Sequence, residues 1–225
     1  HKAYNDTTGE TDSLFNTYLP PEWEMWSRRH PREFARLPSK PPPEVMRLLK
    51  HVLPVKEERE YFYAWTYVSM TARSFVYLVL QGAPGVGKNR IKLLLKALHG
   101  GSNTTDGKKE TFGANDSKFN SQMEDNTLLW CDELKYGPDM EPRLKEYQNT
   151  HISIERKGVD ASRSTEIYTS MVISNNYPRD NYILFNSRKF APLVLGNAPL
   201  TDSMTPEEID LLSKRLDCDS SHFDV

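Results

Sequence analysis

Cysteine is nearly absent. Only Cys131 and Cys218 occur among 225 residues, too few for a zinc cluster or a disulfide framework, and a reducing cytoplasm is the compartment expected. Long apolar runs are missing as well: the most apolar stretch, 75–80, has the length of a strand, far short of the roughly 18–20 residues of a membrane span, so no membrane partner is expected. Neither sign of charge dominates. With 29 Lys and Arg against 31 Asp and Glu, the net charge is −2 and the pI about 6.4, so no global basic field recruits nucleic acid, and any such binding must use local patches. The sequence opens with His1 and shows no basic-then-apolar leader; no signal peptide is expected, and the chain is expected to be the C-terminal part of a longer protein. What remains, 37% hydrophobic and 27% charged, is the composition of a globular domain, long enough for one α/β core and an appended helical segment.

Prolines crowd residues 1–43, at Pro20-Pro21, Pro31, Pro38 and Pro41-Pro42-Pro43. They predict an irregular arm anchored on the domain by Trp23, Trp26 and Phe34. A helical segment is expected over 44–72, as two helices at 44–52 and 56–72 with apolar residues at helical spacing. The core is expected over 73–200. Its run 75–80, rich in β-branched and aromatic residues, reads as a strand buried on both faces. A Gly-rich turn, a helix at 89–98 and a polar loop at 99–109 follow. A second buried strand at 127–131 runs into Asp132-Glu133, and a helix is expected at 143–150. Segments 152–156 and 164–170 read as a hairpin around Lys157-Gly158. A third strand at 171–173 ends in Ser174-Asn175-Asn176, and 184–195 closes the domain. Over 201–225, a helix at 205–216 starts with a capping box from Thr205 and Glu208, with Pro206 in its first turn.

Gly82-Ala83-Pro84-Gly85-Val86-Gly87-Lys88-Asn89 fits G-x-x-x-x-G-K at every fixed position but the last. It follows a buried strand and opens a helix, as a phosphate loop must. Backbone N–H groups of such a loop turn toward phosphate oxygens, the helix N-terminus adds its positive dipole end, and Lys88 reaches the β- and γ-phosphates. The set 82–90, Arg90 included, is the expected ATP-binding segment, and the spacing excludes the dinucleotide pattern G-x-G-x-x-G. Asn89 replaces the usual Ser or Thr. Its carboxamide oxygen is a hard neutral ligand that fits Mg²⁺ directly or through water, or else it marks weakened magnesium binding. Asp132 at the strand end is the expected second magnesium ligand and Glu133 the general base. Asn175 at the third strand tip is placed to orient the lytic water or read the γ-phosphate; alone, Asn-Asn-Tyr-Pro would be read as a turn.

These three elements in this order resemble a superfamily 3 helicase domain, in particular the C-terminal motor of phage and plasmid primase-polymerases or primase-helicases. The resemblance runs from about Glu58 to Leu195, and its most discriminating block is Ile152-Ser153-Ile154-Glu155-Arg156-Lys157-Gly158 ahead of the Asn-tipped strand. The resemblance implies an AAA+-like phosphate-loop NTPase core with a central, mostly parallel sheet flanked by helices. It also implies a ring, usually a hexamer, with ATP and Mg²⁺ bound between subunits and a primase or polymerase domain in the same longer chain. It makes 152–170 a hairpin that grips single-stranded DNA, for which Arg156, Lys157 and Arg163 supply positive charge. It implies an arginine acting on a neighbour's γ-phosphate, assigned to Arg188 with Arg179 as rival. The function expected is therefore an ATP-driven helicase or translocase of viral, phage or plasmid DNA replication. Two other classes stay open: a nucleotide-binding assembly module of a replication complex with little turnover, and a phosphate-loop phosphotransferase.

Overall fold

Apolar runs without alternation bury both faces, which requires a parallel sheet covered by helices on each side. The computed structural model describes residues 2–4, 11–13, 21–36, 41–107, 120–133, 141–154, 163–176 and 188–217, and its centre is such a sheet. Every residue of β3 (Tyr77–Gln81) and β8 (Ser170–Asn175) is buried, as is β5 (Leu128–Asp132) up to its last residue. With the short β4 (Thr104–Asp106) and with β9 (Phe190–Val194) they form a five-stranded sheet in the order β4-β5-β8-β3-β9, every neighbouring pair parallel. β8 comes later in the chain than both β3 and β5, yet it lies between them.

Successive strand residues point to opposite faces, and each face has its own core. Leu78, Leu80, Leu128, Trp130 and Val172 pack under α3 (Pro43–Val52), α4 (Lys56–Thr71), α5 (Lys88–His99) and α7 (Pro206–Leu216). Tyr77, Val79, Leu129, Cys131, Met171 and Ile173 pack against Met123, against Leu144 and Tyr147 in and just after α6 (Glu141–Glu146), and against the antiparallel pair β6 (His151–Ile154) and β7 (Arg163–Glu166). The helical segment 44–72 and the C-terminal helix thus share one core with the sheet. Cys131 is fully buried, and burial, with Asp132 and Asp106 nearby, pushes its thiol well above the ordinary range, which makes it an inert core residue. No described helix is long and apolar enough to cross a membrane.

The N-terminal residues differ from the expected irregular arm. They hold a small antiparallel pair, β1 (Lys2–Tyr4) and β2 (Thr11–Ser13), and two helices, α1 (Glu22–Arg29) and α2 (Pro31–Phe34). The prolines start these helices instead of breaking them: Pro21 precedes α1, Pro31 opens α2 and Pro43 opens α3, positions where a missing N–H costs nothing. Trp23 anchors α1 by donating its indole N–H to the Leu98 carbonyl at 2.8 Å, whereas Trp26 stacks on His30 within its own neighbourhood; the Phe34 side chain lies outside the described residues. The expected polar loop 99–109 contains β4, an edge strand too short and polar to show in the sequence pattern. The helix expected at 143–150 ends at Glu146, and the second hairpin arm stops at Glu166, with Ser170 already in β8. The first buried strand begins at Tyr77, two residues later than expected.

His99, the last residue of α5, ties three elements together. Its Nε2 lies 3.1 Å from Ser69 Oγ in α4 and its Nδ1 3.0 Å from Thr127 Oγ1 at the threshold of β5. Burial pushes its pKa down to about 4, so the fold favours the neutral ring. The unfolded chain takes up the proton near pH 6.5, and the stability contributed by neutral His99 is full above that pH and lost as pH falls toward 4. Urea denaturation is expected to show about 1.5 kcal/mol lost between pH 6.5 and 5, and His99→Gln should remove most of that slope; an unchanged slope in the variant refutes the assignment.

Candidate functional site

β3 delivers the chain to the phosphate loop and α5 carries it away. Gly87, the residue that caps α5, has φ +107°, and a Cβ there would meet Val52 Cγ2 at 2.9 Å; glycine is required by conformation and by space. Gly85 also has positive φ, at +83°. Val86 is fully buried in the helical core, so it pins the loop from below. Lys88 bends back across the loop: its Nζ donates to the Gly82 carbonyl at 2.6 Å and to the Ala83 carbonyl at 2.8 Å. Burial lowers its pKa, an effect opposed by the negative charges of Asp132 and Glu133. Asn89 is exposed and Arg90 half-buried in the first turn of α5, both on the cleft wall, where free helix N–H groups and the dipole favour an anion.

Two strand spacings away, β5 ends in the acidic pair. Asp132 Oδ1 accepts the Trp130 indole N–H at 2.7 Å, and its Oδ2 lies 3.5 Å from Lys92 Nζ, which also pairs with Asp106 at 2.7 Å. Glu133 leaves the strand in a left-handed backbone conformation, φ +50°, an uncommon state for a residue with a Cβ. Its N–H donates to the Ser174 carbonyl at 2.7 Å and its Oε1 accepts from Asn176 Nδ2 at 3.1 Å. The acidic pair and the polar tip of β8 are thus joined directly.

Asn175 ends β8 beside Gln81 of β3, and its carbonyl accepts from Gly82 N–H at 3.3 Å. Its side chain is 0% exposed, and neither amide atom has a hydrogen-bond partner among the described residues. An orphaned buried polar group costs about 1–3 kcal/mol, and this one lies on the wall of the cleft. The cleft has a volume of about 560 Å³, within the ordinary range for a small-molecule site. Leu200 and Thr201, on a short 3-10 turn, and Ile209 of α7 also line it. The Leu200 N–H donates to the Gly85 carbonyl at 3.0 Å, bolting the C-terminal segment onto the phosphate loop. No motif marks these three residues; the capped helix downstream is the one sequence signal near them.

The remaining expected residues are not in the cleft. Arg188 is exposed just before β9, whose Phe190 pairs with Tyr77. It is therefore at the opposite end of the sheet from Gly82, seven residues or about 23 Å away at 3.3 Å per residue. Arg163 opens β7, but its side chain, and all of Arg156, Lys157 and Arg179, lie outside the described residues. Among the described residues no three His, Cys, Asp or Glu side chains converge to hold a metal. The donor set of Asn89 and Asp132 fits magnesium, an oxygen-seeking ion that takes most of its shell from water and phosphate.

A family model described as a family of unknown function, DUF5906, matches residues 80–188, which span the cleft's three polar elements. No curated protein matches the sequence. Among solved structures, the apo C-terminal region of NrS-1 superposes with a TM-score of 0.67 at 18% identity, over 79% of this chain and 44% of that one. The A form of the same apo region gives 0.65 at 19% identity, with 79% and 44% covered. JCV helicase, in complex with an acetamide compound, gives 0.51 at 15% identity, over 77% of this chain and 50% of that one. The chain thus spans less than half the length of the NrS-1 region it matches. At these identities the likeness shows the fold alone: a parallel sheet flanked by helices.

Proposed function

We propose that this chain is an ATP-hydrolysing motor of the superfamily 3 helicase type, the C-terminal part of a viral, phage or plasmid replication protein that moves on single-stranded DNA. One observation carries the reading: the phosphate loop, the acidic pair and the unpaired Asn175 amide converge on one cleft. In this reading Lys88 leaves the Gly82 and Ala83 carbonyls for the β- and γ-phosphates, which the loop N–H groups and Arg90 also hold. Asn89 and Asp132 would hold Mg²⁺, which would supply positive charge against the phosphates. Glu133 accepts a proton from the attacking water; the new P–O bond forms at the γ-phosphorus as the bond to the β-phosphate oxygen breaks, and ADP and phosphate leave. The Asn175 amide supplies one donor and one acceptor to that water and the γ-phosphate.

Arg188 is too far to serve its own cleft, so its part in this reading is played on a neighbouring copy, in a ring that is typically hexameric for such motors. Arg156, Lys157 and Arg163 on the β6–β7 hairpin contact the DNA backbone, and a primase or polymerase domain belongs to the rest of the longer chain. A second reading, nucleotide binding without turnover, is favoured by one feature: Asp132 is already engaged by Trp130 and Lys92 beside an Asn where a hydroxyl is usual.

Steady-state ATP hydrolysis with Mg²⁺, with and without single-stranded DNA and across protein concentrations, separates the two. The motor reading expects turnover that rises with both, and Lys88→Ala lowers it by about 100-fold or more. ATP binding with no turnover under any of these conditions, and turnover restored by Asn89→Ser, supports the second reading instead.

Asn175→Ala is expected to split activity from stability. It removes two unsatisfied atoms, so the unfolding free energy should stay level or rise by up to about 1–2 kcal/mol. The turnover number should fall by about 100-fold while ATP affinity holds. A clear loss of stability with unchanged turnover would make Asn175 a core residue and remove the main support for the reading.

A further inference from the structure

One buried cation lies where the nucleotide strand and the hairpin meet. Arg73, between α4 and β3, is 8% exposed, and its guanidinium donates to four carbonyl oxygens: those of Tyr147, Asn149 (2.6 Å), Thr169 (3.1 Å) and Ile167 (3.4 Å). The first two stand where the chain enters β6 and the last two where it leaves β7 for β8. Its neighbours repeat the pattern. Ser74 N–H donates to Ser170 Oγ at 2.9 Å, Gln148 Nε2 to the Phe75 carbonyl at 3.2 Å, and the Tyr77 hydroxyl to the Leu144 carbonyl at 2.6 Å. Only the planar fork of an arginine reaches several carbonyls at once; a lysine places a point charge on one or two.

Both ends of this joint lead to the cleft. Arg73 precedes β3, whose far end is the phosphate loop, and Thr169 precedes β8, whose far end is Asn175. The two strands are paired from Leu78–Val172 to Gln81–Asn175. We propose that Arg73 is a positioning residue that couples the β6–β7 hairpin to the nucleotide cleft, an inference that rests on reading that hairpin as the nucleic-acid grip. With the fork in place, a displacement of the hairpin root at Thr169 loads β8 against β3 and is carried six residues, about 20 Å along β8, to Asn175 beside Gly82. Without it, the same displacement is absorbed in residues 147–150 and 167–169. The hairpin still binds DNA and the cleft still turns over ATP, but each no longer senses the other.

The test is ATP turnover by the chain carrying Arg73→Lys or Arg73→Gln, with and without oligothymidylate, alongside DNA affinity by fluorescence anisotropy and a thermal melt. Basal kcat, KM for ATP and DNA affinity are expected within about twofold of the unaltered chain. The stimulation by DNA should fall about tenfold, inside the 5–150-fold range of ordinary coupling between sites, with Arg73→Lys intermediate. Folded variants that keep full stimulation overturn the proposal and leave Arg73 a brace of the fold. Should both variants fail to fold, Tyr77→Phe decides, since it deletes one hydrogen bond of the joint at constant volume: partial loss of stimulation supports the coupling and full retention overturns it. An unaltered chain that hydrolyses ATP without any response to DNA overturns the motor reading itself, and the coupling with it.

Discussion

β8 is hydrogen-bonded along both edges, to β3 on one side and β5 on the other, and neither neighbour can shift without breaking a ladder. Strands lie about 4.8 Å apart, so the phosphate loop after β3 and the acidic pair after β5 are held roughly 10 Å from each other with Asn175 between them. That spacing suits a phosphate chain with a hydrated cation beside it, and it is a property of the backbone. The apolar runs produce it indirectly: each is buried on both faces, so each must be an inner strand, and covered parallel strands deliver all their C-terminal ends to one edge. Side-chain chemistry at the cleft then needs only the right residue at each strand tip.

Two buried polar groups beside this frame are treated in opposite ways. Arg73 has carbonyl acceptors on four residues, so its burial is compensated and it rigidifies the joint it occupies. The Asn175 amide is buried still more completely and has no partner among the described residues. The left-handed Glu133 nearby is a second local cost in the same cleft. Under the proposed reading the nucleotide and its lytic water are the partners that the Asn175 amide lacks.

The same distinction explains what was legible in the sequence. Gly82 to Lys88, Asp132, Glu133 and Asn175 could be read because each ends or follows an apolar run, and a run followed by polar punctuation is a local signal. β4 could not, because an edge strand covered on one side carries no apolar excess. The prolines of residues 1–43 misled for a related reason: Pro stops a helix from inside but starts one at its first turn, and composition does not say which. Leu200, Thr201, Ile209 and Arg73 were illegible because their places are set by groups far along the chain, whether Gly85, the rest of the cleft or the carbonyls around the hairpin root. Arg73 read as one more arginine between a helix and a strand; only its four carbonyl acceptors distinguish it.

The weak overall charge bears on how such a chain would hold DNA. A single copy with net charge −2 and three candidate cations on one hairpin would neutralise few phosphates, and neutralised phosphates are the main source of affinity that does not depend on sequence. If copies close into a ring, the same hairpin is presented several times to one strand, and each later binding event occurs at a high effective concentration instead of from bulk solution. Under the same reading Arg188, about 23 Å from its own phosphate loop, would meet a γ-phosphate only when another copy brings one to it. Under the proposed reading, association would therefore complete the cleft and multiply the grip in one step. The chain could remain acidic and avoid binding nucleic acid indiscriminately while unassembled.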